Sequence, residues 1–131
     1  MVQNIAVKRA AGTARPQVNR HRPIDMAHLA RQTLGDQGLG HEVLRLFDQM
    51  ASTYLGRLRT STDAEQQLRH LHALKGAAVG VGAVRIADLA RAAEVDLRAG
   101  VPVDPERIDD IEVAVAECSV FVGELLAYEA A

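Results

Sequence analysis

The stretch "HLHALKG", residues 70–76, gathers two histidines, a lysine and a glycine within seven residues. Imidazole can serve near neutral pH as a nucleophile, a proton carrier or a metal ligand, and the spacing discriminates among these. At about 100° per residue of helix, residues two apart diverge by about 160°, so His70 and His72 do not form a metal clasp. There is no H-E-x-x-H pattern, Cys118 is the only cysteine, and His21, His28 and His41 are scattered. No metal site is expected.

With His72 as the reference direction, Gln67, Leu71, Leu74, Ala78 and Val81 fall on the far side of the helix and form a mostly apolar arc. His72 therefore faces solvent, while His70 lies towards the flank of the buried arc. Glu65, Leu68, Arg69, Lys75, Gly76 and Val79 share the outward stripe with His72. An open imidazole with a cation one turn ahead suits attack on phosphorus to form a phosphoramidate. The phosphoryl group would bring roughly two negative charges, which Lys75 would offset. Gly76 removes a side chain that would screen the ring, although glycine weakens a helix by about 1 kcal/mol relative to alanine. The attacking nitrogen needs its ring partner protonated and held. Glu94, in the next helix, is the candidate holder, provided the hairpin between them is tight; a plain surface acid is the competing reading. Leu68, Arg69 and Val79 would form a rim for a partner; Arg31, Arg69, Arg85 and Arg91 are candidate contacts for an acidic one, with the ordinary charge of a solvated face as the competing reading.

The elements that must position these residues read as helices. Pro23 and Asp25 start a short helix over about 25–34, stopped by Gly35. Leu39, Val43, Leu46, Phe47, Met50, Tyr54 and Leu58 predict one face of a second helix, about 39–59. "STDAEQ" opens a third, capped by Ser61, Thr62 or Asp63, running to about Gly80; Gly82 is a turn residue. A fourth, about 83–99, uses Ile86, Leu89, Ala90, Ala93 and Leu97 and stops at Gly100. Asp104 and Pro105 start a fifth, with Ile108, Ile111, Val115, Cys118, Val122 and Leu125 as its seam. The expected fold is all-α: an antiparallel four-helix bundle with a short additional N-terminal helix.

The 131 residues suit one domain, and 48% hydrophobic content supplies a core with only 3% aromatics, which favours helices over a β-sandwich. A single cysteine excludes an internal disulfide. No apolar run approaches the roughly 20 residues of a membrane span, and no signal-peptide pattern is present; a cytoplasmic protein is expected. Residues 1–23 carry Lys8, Arg9, Arg15, Arg20 and Arg22 without an acid. This segment reads as a disordered basic arm ahead of a domain at 24–131. A nucleic-acid or acidic-partner contact is the competing reading, but with no interleaved aromatics nucleic acid is not expected.

"HALKGAAVGVGA" resembles the signature of the histidine-containing phosphotransfer (HPt) domain family. The matching residues are His72, Leu74, Lys75, Gly76, Gly82 and Ala83, in the pattern H-x-L-K-G-(five residues)-G-A. "IADLARAAE" resembles the family's next helix, and "IDMAHLARQTLGDQGLGHEVLRLFDQM" its preceding region, so the resemblance covers about residues 24–128. The chain departs from the pattern at Ala77, Gly80 and Ala90, and Gly80 is expected to shorten the third helix slightly. The resemblance implies a phosphorelay carrier. His72 would take a phosphoryl group from the aspartyl phosphate of one receiver domain, in a response regulator or hybrid histidine kinase, and give it to the aspartate of another. No cofactor is expected on this chain, with Mg²⁺ in the receiver. Lacking a Gly-rich nucleotide loop, the chain is expected to be a phosphocarrier rather than an enzyme, and monomeric. The alternative is a helical interaction module that binds receivers without transfer; no acid–base pair supports an unrelated enzyme.

Overall fold

The computed structural model describes residues 22–130; the basic arm, apart from Arg22 and Pro23, lies outside the described residues. Five helices follow: α1 (Met26–Gln32), α2 (Gln37–Thr60), α3 (Ala64–Val81), α4 (Val84–Arg98) and α5 (Pro105–Ala130). Among the described residues there is no strand.

Aspartates start most of them. Asp25 accepts from the His28 amide at 3.1 Å and Asp36 from the Leu39 amide at 3.0 Å, each satisfying an otherwise unpaired first-turn donor. Asp63, of the three candidates, caps α3 through the Glu65 amide, and Asp104 accepts from the Glu106 amide at 2.9 Å. α1 is shorter than expected. Leu34 and Gly35 both adopt positive φ, 54° and 76°, and the Gly35 amide closes on the Ala30 carbonyl at 2.8 Å.

α3 runs through Gly80 to Val81, so Gly80 does not shorten it; a glycine inside a helix weakens it without ending it. The stop is Gly82, at φ 83°. The Ala83 amide reaches back to the Ala78 carbonyl at 2.8 Å, a left-handed closure that glycine accommodates best. The Gly82 carbonyl also accepts from the Asp25 amide at 2.8 Å, tying α1 to the hairpin. A Cβ on Gly82 would sit 3.0 Å from the Asp25 carbonyl oxygen.

α2 packs on α3, α3 on α4, α4 on α5 and α5 back on α2, with no close backbone approach across the diagonals among the described residues. Short connections between neighbours make the ring antiparallel. α1 rests on α2 and α3. Leu44, Phe47 and Leu58 of α2 meet Leu71 and Leu74 of α3, Ile86, Ala90 and Ala93 of α4, and Ile111, Cys118 and Val122 of α5 in one core. The expected face of α2 needs correction. Leu39, Leu46 and Met50 are exposed, whereas Leu44 and Ala51 are buried beside Phe47 and Leu58. The apolar arc of α2 is wider than the buried one, and its outer members stand about 100° from the buried centre.

Candidate functional site

The site sits on the α3–α4 hairpin. His72 and Glu94 lie ten and twelve residues from Gly82, about three turns down each arm, and the tight turn brings them level. His72 Nδ1 is 3.0 Å from Glu94 Oε2. Lys75 Nζ is 2.7 Å from Glu94 Oε1, and an Arg98 guanidinium nitrogen is 3.4 Å from Oε2. The carboxylate is thus the hub: its side chain is 2% exposed, against 66% for His72, 22% for Lys75 and 58% for Arg98. Glu94 and Thr33 are the buried polar residues among those described.

A buried carboxyl without partners would be costly to ionise. Burial pushes the Glu94 carboxyl up, but the hydrogen bonds from Lys75 and His72, with the charges of Lys75 and Arg98, outweigh it. They hold the group below the ordinary glutamate value. Glu94 is therefore a carboxylate, an acceptor only. Facing an acceptor-only carboxylate, Nδ1 of His72 is the donor of this contact; in the neutral form of the ring the lone pair then lies on Nε2. The side-chain hydrogen bond of His72 among the described residues is the one through Nδ1.

Gly76 is exposed beside the imidazole, and a Cβ built there would meet nothing within 4 Å. No helix packs against it, so close packing does not account for the glycine. Lys75 faces the site, but half-buried and bound to Glu94. Of the rim residues, Arg69 is exposed, Val79 is 48% exposed, and Leu68 is half-buried, less open than expected. Below Val79 a shallow depression of about 190 Å³ opens, lined in part by His28, Val84, Ala87 and Arg91. His70 is away from the site, half-buried, its ring 6.4 Å from that of Tyr54.

Sequence reasoning missed Arg98. Its signal was the i, i+4 spacing from Glu94, the ordinary geometry of a helical ion pair, which carries weight only once Glu94 is known to be buried. Among the described residues no group of three or more histidine, cysteine or acidic side chains is placed to hold a metal ion, and no helix is long and apolar enough to cross a membrane.

The four helices thus form a ring that carries an outward histidine against a buried carboxylate, which a lysine also binds. The family model of the Hpt domain matches residues 42–126, which spans α3, α4 and most of α2 and α5, and the chain belongs to that family. Membership of this family supports a phosphocarrier role in histidine phosphotransfer. No curated protein sequence and no solved structure matched the chain.

Proposed function

We propose that His72 is the phosphoacceptor and that Nε2 is the atom that reacts. The observation carrying this reading is the 3.0 Å contact of Nδ1 with the buried Glu94 carboxylate, which puts the ring proton on the inner nitrogen and the lone pair on the outer one. A receiver's aspartyl phosphate approaches over the bare backbone of Gly76. Nε2 attacks phosphorus, the bond between phosphorus and the aspartate oxygen breaks, and the electron pair leaves with the aspartate carboxylate. The ring gains positive charge as the N–P bond forms, and Glu94 stabilises it through the Nδ1–H bond. Lys75 Nζ, tethered next to the ring, offsets the charge of the incoming phosphoryl group. Attack by a second receiver's aspartate on the same phosphorus reverses these steps and restores the neutral imidazole.

A Mg²⁺ ion held by the receiver would supply the remaining charge neutralisation in both directions, while Lys75 and Glu94 are what this chain itself brings to the step. Arg98 belongs to the same electrostatic set, half-exposed and able to hold Glu94 when Lys75 turns to the phosphoryl group. Arg69 and Val79 form the rim that a receiver covers, with the stem of Leu68 beneath them. The chain acts as a phosphocarrier in the cytoplasm, as a monomer.

Incubation of the full chain with a phosphorylated receiver tests the reading. Acid-labile label should move to the wild type and to His70→Gln, and not to His72→Gln, with all three equally folded. Receiver binding without transfer of label would make the domain an interaction module and overturn the proposal.

A further inference from the structure

α5 presents an outward seam that no described element covers. Val113 and Val120 sit on it seven residues apart, 53% and 60% exposed, and Tyr128, 78% exposed, ends it. Glu117 and Glu124 repeat at the same seven-residue interval on the same face. Valine is a poorer helix former than alanine, leucine or glutamate, so two valines facing solvent contribute nothing to α5 in isolation. Gly123 leaves the seam flat, since a Cβ there would meet nothing within 4 Å.

The seam is also acidic. Seven of the 26 residues of α5 are Asp or Glu, and Arg107 is its one basic residue. Arg59 of α2 takes Asp109 and Glu112, and Arg107 reaches Asp96 at 3.6 Å. Glu106, Asp110, Glu117, Glu124 and Glu129 have no ion-pair partner among the described residues. A second copy laid on this face would oppose acid with acid, so the complement must be basic with some apolar residues.

The chain holds such a segment. Residues 1–21 contain Lys8, Arg9, Arg15 and Arg20, no acid, and the apolar Val2, Ile5 and Val7. They join the bundle at Arg22, just ahead of α1. α1 lies beside the end of α5: Met26 and Leu29 share a depression of about 180 Å³ with Leu125 and Glu129. The segment therefore starts at the C-terminal end of α5, on the bundle-facing side, and must pass round that end to reach the seam. From Glu129 back to Glu106 the helix rises about 35 Å, and 21 residues of extended chain reach about 70 Å.

We infer that the basic N-terminal segment docks along the outward face of α5, its cations on Glu117, Glu124 and their neighbours and its apolar residues on Val113 and Val120. α5 touches α2 and α4 but not α3, so this clasp leaves His72 open to a receiver.

The test uses the full chain and a full-length variant, Lys8→Glu/Arg9→Glu/Arg15→Glu. Amide chemical shifts at about 0.1 M salt should differ between them at Val113, Glu117, Val120 and Glu124, and the difference should collapse at about 0.5 M salt, where screening shortens to a few ångströms. Lys8 and Lys75 are the only lysines, so a carbodiimide cross-link from Lys8 to Glu117 or Glu124 is unambiguous. It should form within one chain in a mixture of isotopically light and heavy protein, with several-fold lower yield at the higher salt. Unchanged shifts along α5, shift differences at His72 and Gly76 instead, or cross-links joining light to heavy chains would each overturn the inference.

Discussion

At the level of single residues Glu94 is the pivot, because its buried carboxylate faces Nδ1 of His72 at 3.0 Å and, on the proposed mechanism, fixes which nitrogen reacts. Its depressed pKa has a signed consequence for stability. A carboxylate held below its ordinary value stabilises the fold above that value, and the contribution is lost as pH falls through the folded-state value. Glu94→Gln cannot titrate, so the stability gap between wild type and variant should be present at neutral pH and shrink below about pH 4.3. At neutral pH the variant should be less stable by about 1–2 kcal/mol, the loss of charge-assisted bonds whose other partners are partly solvated. It should also transfer more slowly, because an amide can accept from or donate to the ring and no longer dictates the tautomer. Urea melts from pH 3 to 7 on both proteins check the first point, and a pH-independent gap would refute it.

Gly76 and Lys75 are separable by the same logic. Gly76→Ala should raise stability by up to about 1 kcal/mol, since its Cβ has open space around it. Gly76→Gln should fold but slow receiver-dependent transfer by obstructing the approach. Lys75→Ala leaves the path open and should slow transfer by loss of charge, while also weakening the hold on Glu94. Thermal melts and transfer rates on the three variants decide; normal transfer with a sharply lowered melting temperature in Gly76→Gln would show that the glycine serves packing.

At the level of elements, the α3–α4 hairpin is the part that makes the site. Gly82→Ala would place a side chain on a backbone at φ 83°, 3.0 Å from the Asp25 carbonyl oxygen. The left-handed conformation alone costs about 1–2 kcal/mol for a residue with a Cβ, so the melting temperature should fall by several degrees, and α1 should loosen with it. A melt matching the wild type would remove the hairpin from the account. Much of this was legible in the chain. Asp25 and Asp104 are start residues by type and position, Asp63 is one of three adjacent cap candidates, and the outward direction of His72 follows from helical phase alone. What was not legible needed a neighbour. The buried side of α2 depends on which flank α3 and α5 occupy, so Leu39, Leu46 and Met50 were indistinguishable from core by spacing. Glu94 reads as a surface acid or as an orienting one until α3 is laid beside it, and Arg98 has no reason to be noticed before Glu94 has one.

At the level of the whole molecule, one core shared by four helices keeps the exposed site rigid. Cys118 sits inside that core, 3% exposed, where burial, with a smaller contribution from the charge of Asp48, pushes its thiol up to about 12. It should resist alkylation at neutral pH in the folded protein and react only on global unfolding; labelling at rates well above the unfolding rate would mean that α5 opens on its own. The phosphoacceptor claim spans all three scales, because core, hairpin and carboxylate together leave one lone pair outside. The direct measurement is the site and regiochemistry of phosphorylation, read from long-range proton–nitrogen and phosphorus NMR on the full chain after incubation with a phosphorylated receiver. The account predicts a single phosphoramidate at Nε2 of His72, with Nδ1 still protonated. Phosphate at Nδ1 of His72, or on His70, would contradict it.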